Sequence, residues 1–136
     1  FAITTAAESG IDVQLFMSEI GDQDVTYHAQ RHYYEGLLRA GARIWLYRAP
    51  TILHAKHMTI DDQVAVIGSS NMDMRSFSLD LEISVMVPNR TIVPSLRRIE
   101  DSYRQRAHEL TLDDWMRQPL RSKILDNIAR LTAAVQ

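Results

Sequence analysis

His54-Ala55-Lys56, Asp61 after four further residues, and Gly68-Ser69-Ser70-Asn71 after six more are the residues of this chain best suited to chemistry. In a strand, side chains two apart project on one face, so His54 and Lys56 are expected to stand side by side. A neutral imidazole beside a fixed ammonium can attack or protonate a phosphate ester while the lysine offsets the ester's negative charge. Ser69 and Asn71 lie just beyond the next apolar run, and a hairpin there brings their hydroxyl and amide donors to the same phosphate oxygens. A lone His-x-Lys arises easily in an edge strand, and Gly-Ser-Ser-Asn alone is an ordinary turn. The combined pattern His-x-Lys-x4-Asp-x6-Gly-Ser-x-Asn fixes six residue types over eighteen positions, which chance supplies far less readily.

The elements that must position these residues follow from periodicity. Residues 1–10 read as a helix closed by Gly10, and 11–16 alternate apolar and polar side chains as a strand does. After a loop at 18–24, the apolar positions from Val25 to Ala40 recur at helical spacing and stop at Gly41. A second strand is expected over 42–47, with Pro50 interrupting before a third over 54–60. Asp61-Asp62 supply a turn into the β-branched run 64–67, giving a hairpin. A polar loop over 68–75 follows, then a strand over 79–87 with apolar residues at alternate positions, ended by Pro88. From about Thr91 the chain reads as mainly helical, with Ile92, Leu96 and Ile99 on one face and, after Pro119, Leu120, Ile124, Leu125, Ile128 and Leu131 on another. Strands interleaved with helices, then a helical tail, predict a layered α/β domain occupying residues 1–136 as a single unit.

Composition narrows the function classes. With 136 residues, 46% hydrophobic and 24% charged, the chain is long enough to bury a core and is neither disordered nor collagen-like. A formal charge of −2 argues against attachment to nucleic acid by bulk charge. The absence of cysteine excludes a disulfide scaffold, a thiolate zinc site and a cysteine nucleophile. No apolar run is long enough to span a membrane. The opening on Phe1 rather than Met leads to the expectation of a piece of a longer protein.

Other candidates are weaker. His28 and His32 share a helix face at i, i+4, yet Ala29, Gln30 and Arg31 between them lack the glutamate of a zinc-protease motif, so a half-exposed helix face is the better reading. His57 is expected opposite His54, and His108 in a polar helical segment, both as structural or solvated residues. Trp45 and Tyr47 read as core or pocket wall. Arg97, Arg98, Arg104 and Arg106 alternate with Glu100, Asp101 and Glu109 as on a solvated helix. The helix over 120–131, with Arg121, Lys123 and Arg130 beside its apolar face, is expected to pack on its own domain, with contact to an anionic membrane surface as the alternative.

The His-x-Lys-x4-Asp-x6-Gly-Ser-x-Asn pattern resembles the signature of the phospholipase D superfamily. Tyr33-Tyr34-Glu35 with Leu37-Leu38, Ala40-Gly41-Ala-Arg43-Ile44, Leu53-His-Ala-Lys56 and Asn71-Met-Asp73-Met-Arg75-Ser76-Phe77-Ser-Leu79 are similar to the matching stretches of bacterial cardiolipin synthases. So is the tail Leu112-Asp-Asp-Trp115 with Arg117 and Pro119-Leu120, whereas Asp80 stands where those enzymes often have Asn. The resemblance implies a phospholipase D-like α-β-α sandwich with a mixed sheet, here the C-terminal, motif-bearing half of a longer enzyme. It implies that His54 is one of two active-site histidines, and more specifically the general acid if this is the second motif copy. Lys56 and Asn71 would hold the phosphate, Ser69 would add a hydrogen bond, and Glu82 would orient the imidazole. Asp61 and Gly68 would be structural. No cofactor or metal is called for.

The reaction implied is transfer of a phosphatidyl group from phosphatidylglycerol, through a phosphohistidine, to a second phosphatidylglycerol. The partners implied are that anionic lipid, a membrane surface, and a second motif copy from the N-terminal half or from another subunit. The parent protein would sit at the bacterial cell membrane, and this segment would be soluble. The alternatives are a homodimeric phosphodiesterase or nuclease of the same superfamily, and an inactive module kept for membrane binding.

Overall fold

The structure, a computed structural model, describes residues 1–21, 24–71, 81–88 and 90–118. The expected Arg75-Ser76-Phe77 segment, residues 79–80 and the helix over 120–131 lie outside the described residues, while 81–83, expected in a strand over 79–87, are irregular and that strand begins at Ser84. The chain divides into two compact units, one comprising Phe1–Leu53 and the segment from Arg106 on, the other His54–Gln105.

In the first unit, two glycines end helices as their positions predicted. Helix α1 (Ala2–Glu8) closes with Gly10 at φ 85°, where the Gly10 N–H donates to Ala7 O at 2.9 Å and the Ile11 N–H to Ala6 O at 3.1 Å. Gly41, at φ 95°, repeats that paired closure on Leu38 and Leu37 at 3.1 and 3.0 Å, sending the chain from the helix into the next strand. Both use the left-handed backbone that glycine adopts without steric cost.

The single helix expected over 25–40 is two helices, α2 (Asp24–Arg31) and α3 (Tyr34–Arg39). At the break the Tyr33 N–H tightens onto Gln30 O at 3.2 Å. The packing of Tyr34 accounts for the break: its ring is 1% exposed, lies 5.5 Å from the Trp115 ring, and its hydroxyl accepts from Gln30 Nε2. Burial of that ring overrides a continuous helical pattern.

Strand β1 (Gln14–Ser18) pairs parallel with β2 (Arg43–Tyr47). On the other side of β2 lies a strand the sequence reading missed. Ala107–Leu110, expected within a helix, forms a strand antiparallel to β2, with Ile44 opposite Leu110 and Tyr47 opposite Ala107. His108 therefore stands on a strand, not on a helix. The resulting sheet is mixed, with β2 at its centre. Its alternate positions Ile44 and Leu46 face Tyr34, Leu110 and Trp115, and this cluster is the core. Trp115 is carried by the short helix Leu112–Met116, whose N-cap Thr111 accepts the Asp114 N–H at 3.1 Å and whose first turn holds Asp113 and Asp114 against the positive end of the helix dipole. On the opposite face, Trp45 stacks on Phe16 and lies under the Arg43 guanidinium, which grips Glu109 with two hydrogen bonds of 2.8 and 3.1 Å. Of the two residues expected as core or pocket wall, Tyr47 is buried and Trp45 is half-buried on this face, outside the core cluster.

The second unit is built on an antiparallel sheet. Strand β3 (His57–Ile60) pairs with β4 (Val64–Gly68), and β4 with β5 (Ser84–Val87). Strands β1 to β5 follow chain order, so Ala107–Leu110 is β6. Asp61 makes the β3–β4 turn at φ 50°, a conformation Asp tolerates better than most residues, and the Gln63 N–H returns to Ile60 O at 3.3 Å. Helix α4 (Val93–Gln105) contacts β3 and β4, which leaves Leu112–Met116 as α5. Along α4, Arg98 donates to Ser95 Oγ and Arg104 pairs with Asp101, the solvated pattern expected of these charges.

Glu100 is the exception on α4, a carboxylate only 7% exposed. It accepts from Thr59 Oγ1 at 2.8 Å, lies 3.4 Å from His57 Nε2 and 3.3 Å from Arg97 Nη1. Burial pushes its pKa up, but the hydrogen bonds from His57 and Thr59 and the charge of Arg97 outweigh burial and hold it below the ordinary glutamate range. A carboxyl whose folded-state pKa is depressed stabilises the fold above its unfolded pKa and loses that contribution as pH falls through the folded value. The melting temperature of the chain is therefore expected to drop on acidification below about pH 4. In Glu100→Gln that acid-dependent component shrinks, and parallel melting curves of the two proteins across pH 3 to 6 measure it.

Candidate active site

Strand β4 ends at Gly68, so the chain on the β3 side has no ladder partner before Lys56, and residues 51–56 are irregular rather than the start of a strand. The expected strand over 54–60 thus begins at His57. One hydrogen bond carries the pairing past its end, from the Gly68 N–H to Lys56 O at 3.0 Å. His54 is exposed, and Lys56 is half-buried. Lys56 Nζ turns back to donate to the His54 carbonyl at 2.9 Å, so the histidine and the ammonium are neighbours by this bond rather than by strand alternation. An ammonium has three donors, and this bond uses one.

The return strand brings the second part of the pattern to the sheet's end. The Ser69 N–H donates to Ile83 O at 3.0 Å, and the Ile83 N–H donates to Ser69 Oγ at 3.1 Å. The Ser69 hydroxyl proton goes to the Glu82 carboxylate. Two residues expected to serve the phosphate and the imidazole, Ser69 and Glu82, are thus joined to each other. The serine fixes the segment just ahead of β5 and gives the carboxylate a set position. Asn71 is exposed and follows two residues later, its carbonyl accepting from Ser70 Oγ at 3.3 Å.

Gly68 has a steric reason to be glycine. A Cβ at this position would sit 2.6 Å from Ile83 O and 2.9 Å from Ser84 Cα, and would overlap the Ser84 hydroxyl. Two of these neighbours are backbone atoms that cannot swing aside. Gly68→Ala is expected to destabilise the chain by about 1–3 kcal/mol through this overpacking, measured as a lower urea midpoint. Asp61 lies at the far end of β3 in the turn, and its carbonyl accepts from Arg97 Nη2 at 2.8 Å. His57, on the side of β3 that meets α4, is paired with Glu100 and lies 6.1 Å from the tilted ring of Tyr103, a structural setting.

Among the described residues no group of three or more His, Cys, Asp or Glu side chains is placed to hold a metal ion. His28 lies on α2 against Tyr27, and His32 lies beyond that helix against Tyr33. Among the described residues no helix is long and apolar enough to cross a membrane.

What this geometry offers is an exposed His54, a lysine ammonium bonded to its backbone carbonyl, and the Ser69 hydroxyl and Glu82 carboxylate joined to each other at the end of one small antiparallel sheet, with Asn71 exposed just beyond. Such a set suits an anionic ester better than a neutral substrate. The profile of the family described as "Cardiolipin synthase, PLD-like domain" matches residues 1–103. The chain is 32% identical over 127 residues to cardiolipin synthase A of Proteus mirabilis (strain HI4320), covering 93% of this chain and 26% of that protein. It is 34% identical over 132 residues to cardiolipin synthase of Geobacillus kaustophilus (strain HTA426), and 35% identical over 127 to cardiolipin synthase 1 of Bacillus anthracis, covering 96% and 93% of this chain and 26% and 25% of theirs. It thus spans about a quarter of the length of these curated relatives. Among solved structures, the phospholipase D family member Nuc from Salmonella typhimurium is similar, with a TM-score of 0.66 at 17% identity over 81% of this chain and 71% of that one, a likeness of fold. The expected α/β class with a mixed sheet stands, and the chain belongs to the cardiolipin synthase family of phospholipase D-like domains.

Proposed function

We propose that this chain supplies one half of the active site of a phosphatidyltransferase that makes cardiolipin from two molecules of phosphatidylglycerol. The observation that carries the reading is the exposed His54 with the Lys56 ammonium bound to its own carbonyl, inside the stretch matched by the cardiolipin synthase family.

The other half is a second His-x-Lys copy, contributed by the rest of the parent protein or by a second subunit. In the first step the nitrogen of one histidine attacks phosphorus, the bond from phosphorus to the glycerol oxygen breaks, and the other histidine gives that oxygen its proton. In the second, the hydroxyl of another phosphatidylglycerol attacks phosphorus and the phosphorus–nitrogen bond breaks. The hydroxyl proton passes to the second histidine, which regains its starting state. Water in place of that hydroxyl yields phosphatidic acid. Lys56 and Asn71 bind the phosphate oxygens, with Ser69 and Glu82 shaping the site between them. Lys56 offsets the charge that grows on those oxygens in the transition state. If this is the second motif copy, His54 is the general acid. The parent protein acts at the bacterial membrane, where its lipid substrate resides.

The test is conversion of labelled phosphatidylglycerol by the full-length parent protein. Cardiolipin formation supports the reading. Cleavage of DNA or of a simple phosphodiester without lipid transfer would replace it with a phosphodiesterase, and no reaction at all would leave a binding module.

A further inference from the structure

Glu100 is a buried carboxylate on α4 that the transfer chemistry does not use, and it grips the strand that follows the His-x-Lys pair. His57 and Thr59 are two residues apart, so both face α4, and both meet Glu100 Oε1, at 3.4 and 2.8 Å. The alternate residues Met58 and Ile60 are correspondingly exposed. Arg97 lies one turn earlier on α4 and joins Glu100 to the turn that follows β3, with Nη1 at 3.3 Å from Glu100 Oε2 and Nη2 donating to Asp61 O at 2.8 Å.

We propose that Glu100, assisted by Arg97, is a positioning residue for the active site: by holding His57 and Thr59 against α4 it sets the face and register on which Lys56 stands. The inference rests on the phosphatidyl-transfer reading for its functional consequence, not for its geometry. A single peptide bond joins His57 to Lys56, whose carbonyl in turn receives the Gly68 N–H. A slip of β3 by one residue would carry Lys56 into the place of His57 against α4 and break the Gly68 bond. Apolar side chains at these positions would also cover the strand, but they tolerate sliding, whereas a carboxylate satisfied by three named donors has one alignment. Among the described residues the Lys56 ammonium is held by the backbone two residues back, an anchor that does not fix the strand against α4.

Amide hydrogen exchange of the 136-residue chain reads the clamp without any assay of activity. In Glu100→Ala, protection of the Gly68 amide is expected to fall about tenfold, the loss of one hydrogen bond. The Ile44 and Leu46 amides of the other unit keep their protection. Glu100→Gln retains an oxygen for Thr59 and His57 and restores most of the Gly68 protection. Arg97→Ala, at a partly exposed position that tolerates truncation, moves Gly68 in the same direction and keeps the test open should Glu100→Ala fail to fold.

In the full-length protein, at a temperature where the variants are folded, kcat for lipid transfer falls about tenfold in Glu100→Ala with KM unchanged, and Glu100→Gln recovers it. Unchanged Gly68 protection in both Glu100→Ala and Arg97→Ala would overturn the proposal, as would unchanged protection in Arg97→Ala alone should Glu100→Ala fail to fold. Lost protection with wild-type kcat would also overturn it, leaving Glu100 a purely structural residue. If the wild-type parent makes no cardiolipin, the functional reading falls and the exchange result alone decides the clamp.

Discussion

His54→Ala in the full-length parent protein is expected to abolish cardiolipin formation, with a loss of at least about a thousandfold in kcat. The size follows from the role. In the proposed reaction each cycle passes through both histidines, whether His54 attacks phosphorus or protonates the departing glycerol, and removing one member of a unit that acts together costs about as much as removing the whole. The fold should survive, because the ring is exposed and sits in an irregular segment outside the buried clusters. Circular dichroism and the melting temperature of the variant are therefore expected to match wild type. Activity near the wild-type level in a well-folded variant would remove His54 from the site.

Lys56→Ala is expected to cost about a hundred- to a thousandfold in kcat, the range seen when one donor to a developing oxyanion is deleted. Lys56→Arg separates charge from geometry. The ammonium bonds the His54 carbonyl as a compact point donor, and a planar guanidinium cannot reproduce that turn while also meeting a phosphate. Arginine is thus expected to recover only part of the loss. Equal activity in Lys56→Arg and wild type would mean that positive charge alone is needed. The loss should appear in kcat more than in KM, since the lysine's contribution grows as charge develops on the phosphate oxygens.

Much of this was legible in the residues. Gly10 and Gly41 end their helices as placed, 43–47 and 64–68 are strands, and Asp61 makes a turn. These are local effects, written in a few neighbouring side chains. What escaped the sequence was decided by partners far away. Ala107 and Leu110, three residues apart among charged neighbours, fit a helical spacing, and only pairing with β2 makes them an edge strand. Tyr34 reads as one more apolar position of a long helix until Trp115, eighty-one residues later, claims it. The chemistry-bearing residues show the same division. The spaced pattern singles out the proposed site residues, but the turn of Lys56 onto the His54 carbonyl and the bond between Ser69 and Glu82 depend on where β4 stops and β5 starts. No spacing rule connects His57 to Glu100, forty-three residues on, and the buried carboxylate looked like any surface charge of α4.

The most direct test of the central claim is the product balance of the full-length protein given labelled phosphatidylglycerol. The account predicts cardiolipin and free glycerol in equal amounts, both lost in His54→Ala. Phosphatidic acid without cardiolipin, or cardiolipin formation that persists in His54→Ala, would contradict it.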